Sequence, residues 1–169
     1  MKQTLQVINQ LEKEGIIKTY AMGGATALLF YTEPALTFDI DIFIFLPESQ
    51  QKNSLINLSP LYQALEKKGY SSKKEHILIE GIAVQFIPAY NALVTEAVQK
   101  ATKKNYEVLE IKVLSLEYLL AIMLDTNRPK DRERINYLIK ETNYSSEVLR
   151  DILKDHSLIK KWENNFGKI

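Results

Sequence analysis

The fold of this 169-residue chain is decided by residues 21–43, AMGGATALLFYTEPALTFDIDIF. Residues 37–46, which begin inside this stretch, alternate strictly between two faces, and a period of two predicts a β-strand. One face of this strand carries Asp39 and Asp41, and the other face is apolar. The stretch therefore predicts a mostly buried strand with two carboxylates on one side.

The part of the stretch before this strand predicts a second short strand and a helix. Residues 16–21 are apolar and lead into Gly23 and Gly24, after which residues 25–31 are typical of a helix that stops before Pro34. Glycine lets phosphate oxygens approach the backbone closely, and the free N–H groups of a helix start favour anions. A lone Gly-Gly pair is only a tight turn in most proteins, but here it precedes the strand with the two carboxylates.

Asp39 and Asp41 allow two interpretations. As residues i and i+2 of a strand, they project from one face roughly 6 to 7 Å apart, so both can reach one cation. Mg²⁺ fits this pair because it takes oxygen ligands from carboxylates and substrate phosphates. The alternative is a solvent-facing strand on which both carboxylates form salt bridges.

The remaining sequence predicts an α+β (α/β) chain. The sheet domain covers residues 1–113, and a C-terminal helical subdomain, residues 114–169, packs on it. A hairpin is expected around Glu80-Gly81, and Ser59 is expected to cap a helix that ends before Gly69. Further helices are predicted over residues 2–14, 92–101, from 116, 129–141, 146–154 and 156–166; further strands over 76–79, 82–88 and 106–113; and a loop or weak helix over 47–58.

The composition excludes several classes of site. The chain has no Cys, which excludes disulfides and Cys-ligated metals, and any metal must bind oxygen or imidazole. Its 22 Lys and Arg balance 21 Asp and Glu, so no polybasic coat for nucleic acid is present. No signal peptide is evident, and no apolar run reaches the roughly 18 residues of a membrane span. We therefore expect a cytoplasmic protein without membrane contact.

Residues 21–43 resemble the signature of the nucleotidyltransferase-fold (DNA polymerase β) superfamily, with Gly-Gly at a helix start and an Asp-x-Asp strand next. Residues 115–138, SLEYLLAIMLDTNRPKDRERINYL, resemble a C-terminal element of the members related to AbiEii toxins, in which an Arg-Pro-Lys-Asp turn joins two helices. The resemblance implies a nucleotidyltransferase fold with a mixed twisted sheet. It also implies a cognate antitoxin or another protein partner.

The resemblance further implies the transfer of a nucleoside monophosphate from an NTP to an acceptor, with Mg²⁺ or Mn²⁺ as cofactor. RNA, a protein and a small molecule are the candidate acceptors. Asp39 and Asp41 would hold the metal, and Lys130 would complete the catalytic set. The implied nucleotide-binding residues are Gly23, Gly24, Thr37, Gln85 and Asp131.

The sequence departs from the family pattern at several positions. A third carboxylate is usual on a following strand, and this chain offers Gln85 there, which can give a metal an oxygen but no charge. Glu80 is a conceivable substitute, although it lies about 15 Å along the strand on the other side of the pleat. Ala35, Met123 and Arg134 stand where related sequences often have Arg, Lys and Asp. The departures leave open a catalytically reduced nucleotide-binding or interaction protein.

The other candidate residues allow mainly structural interpretations. Arg132 and Arg134 fit a solvated helix face, and Met123 fits the apolar stripe of its helix. His76 and His156 have no metal-ligand spacing in the sequence, so we expect ordinary surface or core histidines. Among the nine Tyr, the sequence places Tyr20, Tyr31 and Tyr90 nearest the site as candidates for stacking on a base.

Overall fold

The computed structural model describes residues 1–33, 37, 39–52, 55–73 and 75–169. Ala35 lies outside these residues. The strands within them are β1 (Thr19–Gly23), β2 (Asp39–Phe45), β3 (Gln51–Lys52), β4 (Leu55–Ile56), β5 (Ser71–Lys73), β6 (His76–Ile79), β7 (Ile82–Pro88), β8 (Thr102–Tyr106) and β9 (Leu109–Val113). The α-helices are α1 (Lys2–Lys13), α2 (Gly24–Ala27), α3 (Ser59–Lys67), α4 (Ala92–Gln99), α5 (Leu116–Thr126), α6 (Pro129–Glu141), α7 (Ser146–Asp155) and α8 (Ile159–Phe166).

Seven of the strands form one mixed sheet in the order β5-β6-β7-β2-β1-β9-β8. The two central strands β1 and β2 are antiparallel, whereas β2 with β7 and β1 with β9 are parallel. In this register Asp41 lies opposite Gly23 on one side and opposite Gln85 on the other. The α+β class with a mixed sheet is as the sequence predicts.

Strand β2 lies at the centre of the sheet and has one strongly apolar face. Ile40, Ile42 and Ile44 are buried, whereas Asp39 and Asp41 on the other face are partly exposed. A one-residue slip would bury both carboxylates, so this alternation fixes the register of the strand.

Helices cover the sheet and extend its core. Helix α1 contacts β9, and α4 contacts β1, β2 and α5. Helices α5 to α8 follow Leu114 as the C-terminal helical part, and one continuous apolar cluster joins them to the sheet, from Leu5 through Ile42 to Trp162. None of the helices in the described ranges combines the length and apolar character needed to cross a membrane.

The predicted strand over residues 106–113 was wrong in extent. The structure has a hairpin there, formed by β8 and β9, with a turn at Glu107 and Val108. Glu107 adopts a left-handed φ of 52°, and Val108 is 83% exposed. The turn contains no Gly or Pro, so the apolar alternation of the sequence hides it.

Smaller corrections concern element ends. The segment predicted as a loop or weak helix contains a 3₁₀ turn (Glu48–Gln50) and the separate two-stranded sheet of β3 and β4. Ser59 is the first residue of α3 and not its N-cap, which is Leu58; the Asn57 side chain accepts the Ser59 backbone N–H. The helix expected over residues 25–31 is the short α2 followed by a 3₁₀ turn.

Candidate active site

The two carboxylates of β2 form the floor of a cavity of about 740 Å³. One wall comes from the sheet, with His76 and Gln85, and the opposite wall from helix α6, with Lys130 and Arg134. This volume is typical of a site for a small molecule. The strand face that carries the two aspartates is therefore concave and not flat.

Gly24 brings the backbone close to Asp41. Its φ of +59° lies in the left-handed region, where side chains are strained. A Cβ built on Gly24 would lie 2.8 Å from Cγ of Asp41 and would overlap its Oδ2. The missing side chain therefore leaves the space that the Asp41 carboxylate occupies at the edge of the cavity.

Gly23 has a different structural role. It is the last residue of β1, and a Cβ there would run into the ring of Phe43 and would lie 3.2 Å from Leu114. Gly23 thus permits the packing of the strands under the site, whereas Gly24 lines the cavity. Contact of either glycine with a nucleotide stays a prediction.

The environment of Asp41 disfavours its charge. Burial raises the pKa of the Asp41 carboxyl above its ordinary value, and the negative charge of Asp39 raises it further. The positive charges of Arg128, Lys130 and His76 oppose this shift without cancelling it. A cation bound between the two carboxylates would relieve the repulsion.

Asp39 is held by neighbours on both sides. Thr37 Oγ1 donates to Oδ1 of Asp39 over 3.0 Å, and Thr26 Oγ1 donates to its backbone oxygen over 2.7 Å. His76 Nε2 lies 3.3 Å from Oδ2 of the same carboxylate. Thr37 therefore holds the Asp39 carboxylate, and its contact with a nucleotide stays a prediction.

His76 is the residue that the sequence interpretation missed. It was expected to be an ordinary histidine without a carboxylate partner, but it lines the cavity beside Asp39. The two residues are 37 positions apart, so no local spacing connects them. Only the pairing of β6 with β7, combined with that of β7 with β2, brings His76 to the site.

The basic residues of α6 differ in whether they face the cavity. Lys130 and Arg134 line the cavity, and neither side chain forms a hydrogen bond or salt bridge with any described residue. Arg132 points elsewhere and donates to the Asn127 side chain over 2.8 Å. The expected solvated face thus applies to Arg132, whereas Arg134 joins Lys130 as a cation available to a ligand.

Asp131 is fully buried and supports this wall. Its Oδ2 accepts from Arg128 Nε over 2.6 Å and from Thr126 Oγ1 over 3.0 Å, and its Oδ1 accepts from Arg128 Nη2. These bonds close the turn at the start of α6, beside Lys130. The carboxylate is thus largely occupied by protein donors, and its contact with a nucleotide stays a prediction.

A third free carboxylate is absent from the described cavity wall. Gln85 lies beside Asp41, and its side chain forms no hydrogen bond with any described residue. Glu80 accepts from the Tyr70 hydroxyl over 2.7 Å at the exposed hairpin turn, outside the cavity. In the described ranges no three His, Asp or Glu side chains are spaced to hold a metal by themselves. The two aspartates fit a cation that keeps water or substrate oxygens as further ligands.

The remaining walls are apolar. Met123 is buried, as its position on α5 predicts, and it lines the cavity with Leu119 and Ile122. Of the tyrosine candidates for base stacking, Tyr20 is fully buried and the Tyr31 hydroxyl donates to the Leu114 backbone. Tyr90 lines the cavity and is 51% exposed.

Comparison with solved structures identifies the fold. The chain is similar to an antigenic nucleotidyltransferase-like protein from Paracoccidioides brasiliensis, with a TM-score of 0.57 and 16% identity over 99% of this chain and 94% of that one. At this identity the similarity shows a shared fold and not a shared activity. The predicted nucleotidyltransferase fold is thereby confirmed.

Two further comparisons add less. The antibiotic-resistance factor ANT(2'')-Ia matches with a TM-score of 0.45 and 15% identity, covering 95% of this chain and 86% of that one, a score too low to support an argument. No protein-family model matches the sequence, and no curated protein matches it significantly. The relation to AbiEii toxins stays a prediction.

Proposed function

We propose that this protein is a metal-dependent nucleotidyltransferase that transfers a nucleoside monophosphate from an NTP to an acceptor. The observation that carries the proposal is the arrangement of Asp39 and Asp41 on the cavity floor opposite Lys130 and Arg134. In the reaction an acceptor oxygen bonds to the α-phosphorus, the acceptor loses a proton, and pyrophosphate leaves.

The charges of the cavity suit a triphosphate. Asp39 and Asp41 would hold Mg²⁺ or Mn²⁺, which would neutralise phosphate charge and polarise the reacting phosphoryl group. Lys130 and Arg134 carry no competing hydrogen bond or salt bridge among the described residues, so their full charge is available to phosphate oxygens. Phosphoryl transfer depends mainly on positioning and on neutralising charge, and this cavity offers both.

Other residues would support substrate binding. Gly24 leaves room for Asp41 at the cavity edge, and Thr37 holds the Asp39 carboxylate through its hydroxyl. Asp131 fixes the turn that presents Lys130, so we assign it a positioning role. The exposed ring of Tyr90 offers an aromatic face to the base of the NTP.

The acceptor and the setting are further parts of the proposal. RNA, a protein and a small molecule are the candidate acceptors. The resemblance of residues 115–138 to AbiEii toxins supports a cognate antitoxin as partner. The absence of Cys is compatible with action in the reducing cytoplasm.

A transfer assay tests the proposal. The protein is incubated with each labelled NTP, Mg²⁺ or Mn²⁺, and pooled RNA, protein and small-molecule acceptors. We expect label transfer by the wild type, loss of transfer in Asp41→Asn, and full transfer in Asp151→Asn, which changes an exposed carboxylate on α7. Equal transfer by Asp41→Asn would contradict the assignment of the site.

The second candidate function is nucleotide binding without transfer. Gln85 favours it, because an uncharged amide beside Asp41 leaves the floor with two free carboxylates in the described part of the cavity. In the same assay, binding of an NTP without transfer to any acceptor would support this candidate.

A further inference from the structure

The pair formed by His76 and Asp39 is the feature of the cavity that the proposed function does not use. His76 Nε2 and Asp39 Oδ2 are 3.3 Å apart, and their side chains are 32% and 41% exposed. Both line the same cavity. This separation is longer than the 2.7 to 3.2 Å of most N–H···O hydrogen bonds. The two side chains therefore form a hydrogen bond at the long end of the range, at a point that opens to the cavity.

The distance between His76 Nε2 and Asp39 Oδ2 is close to that between two neighbouring ligands of one metal ion. Two neighbouring ligands at about 2.1 Å from an octahedral cation are roughly 3.0 Å apart. The observed separation of 3.3 Å is a few tenths of an ångström larger, so small side-chain rotations would let both atoms contact one cation. Imidazole nitrogen is among the commonest metal ligands in proteins.

The sheet places His76 in line with the other polar groups of the floor. Asp41 lies opposite Gln85 in the pairing of β2 with β7. In the pairing of β6 with β7, Ile77 lies opposite Val84, and continuing this register by one residue places His76 beside Gln85. His76 and Gln85 both line the cavity, so the polar row crosses three strands on one face.

We propose that His76 and Asp39 together bind the divalent cation, and that the site therefore prefers a first-row transition-metal ion to Mg²⁺. Imidazole binds such ions well, whereas Mg²⁺ selects oxygen ligands. As they are spaced in the structure, His76, Asp39 and Asp41 do not hold a metal by themselves. Small side-chain rotations bring His76 and Asp39 to the cation, and water and phosphate oxygens supply the further ligands. This inference rests on the proposed cation site and specifies which metal occupies it.

The other histidine of the chain provides a matched control. His156 Nε2 lies 2.6 Å from Glu96 Oε2, and its side chain is only 14% exposed. Glu96 also accepts from Tyr118 and pairs with Lys100, so its oxygens already have protein donors. This second pair resembles the first in chemistry, but it does not line the cavity and its carboxylate already has further protein partners.

Isothermal titration calorimetry of the full chain with MgCl₂, MnCl₂ and CoCl₂, without nucleotide, tests the inference. We expect the wild type to bind Co²⁺ at least about 10-fold more tightly than Mg²⁺, with Mn²⁺ between them. His76→Ala should weaken Co²⁺ binding by roughly 10-fold or more and leave Mg²⁺ binding within about twofold. His156→Gln should change neither. Equal Co²⁺ affinity in His76→Ala and the wild type would overturn the proposal.

A second measurement needs no variant. The chain has two histidines, so imidazole NMR signals can be assigned to His76 and His156. Substoichiometric Co²⁺ should give His76, and not His156, the large contact shifts of an imidazole bonded directly to the metal. Binding of Co²⁺ without such shifts at His76 would also overturn the proposal, even if His76→Ala failed to fold.

The two proposals fail in different ways. If Mg²⁺ and Co²⁺ bind with similar affinity, and both are lost in Asp41→Asn, the preference set by His76 is wrong and the cation site stands. If Asp41→Asn leaves binding of every cation unchanged, the cation site of the proposed nucleotidyltransferase is itself wrong.

Discussion

The two histidine–carboxylate pairs of this protein have opposite surroundings. In the seam between α4, α5 and α7, Glu96 is bound by Lys100, His156 and Tyr118, and these contacts lower its pKa to about 2. In the cavity, Asp39 faces His76 but also a second carboxylate, Asp41, whose pKa is raised by burial and by the charge of Asp39. The first pair is surrounded by further protein donors, whereas the second lies beside a carboxylate whose charge is disfavoured.

The difference indicates which carboxylates are structural. Glu96 loses little by being charged because protein donors satisfy it, and its network joins the C-terminal helices to the sheet domain through α4. Asp41 retains an electrostatic strain that the protein alone does not relieve. Unrelieved charge in a cavity is a mark of a functional site.

The largest expected effect comes from Asp41→Asn. Loss of a direct cation ligand should reduce transfer by more than about 100-fold, since losing even outer-shell partners of a metal costs 10 to 100-fold. In metal-free buffer at neutral pH, the same variant should melt at a higher temperature than the wild type. The folded pKa of Asp41 is raised, so its ionisation destabilises the fold as pH rises through that value, and Asn cannot ionise.

Transfer assays and thermal melts with EDTA check both effects. The gain in melting temperature should disappear below the ordinary pKa of Asp, where Asp41 is protonated in both states. A lower melting temperature for Asp41→Asn in metal-free buffer would show that the charge of Asp41 does not destabilise the folded protein.

The next largest effect is expected for Gly24→Ala. Its left-handed φ costs a residue with a side chain about 1 to 2 kcal/mol, and the overlap with Asp41 adds about 1 to 3 kcal/mol. Gly81→Ala is the matched control, because Gly81 has φ +79° but no atom within 4 Å of a built Cβ. Urea unfolding measures the difference between the two variants, and equal destabilisation would show that contact with Asp41 is unimportant.

A smaller effect is expected for the cations facing the cavity floor. Lys130→Met and Arg134→Met should each weaken NTP binding by about 10-fold, as loss of a charge-assisted hydrogen bond costs roughly 1.5 to 3 kcal/mol. Arg132→Met, on the other face of α6, should change binding less than about twofold. Binding of a non-hydrolysable NTP analogue measures all three, and an equal loss in Arg132→Met would indicate general charge attraction.

The smallest effect is expected in the seam. Glu96→Gln should destabilise the protein by about 1 kcal/mol at pH 7, the usual net contribution of a hydrogen bond. The folded pKa of Glu96 is lowered, so its contribution is present above its ordinary pKa and is lost as pH falls toward about 2. Urea unfolding of both proteins between pH 2 and 7 should therefore show the two stabilities converging in acid. A constant difference would indicate that the charge of Glu96 is irrelevant.

The sequence by itself determined the central strand, the glycine turn and most helices. Asp39 and Asp41 could be placed on one face because a strand has a fixed period of two, and Pro129 marks the start of α6 through its fixed φ. The β8–β9 hairpin was missed because Glu107 takes a conformation that sequence statistics assign to Gly or Asn.

Only the tertiary structure decided which polar residues meet. His76 comes to Asp39 through two successive strand pairings. Arg134 lines the cavity and Arg132 does not, because the orientation of α6 turns only one of its faces to the cavity. Local periodicity fixes the face on which a side chain lies, because it depends on backbone geometry within one element. The partner across the sheet depends on strand order, which long-range packing of the whole core selects.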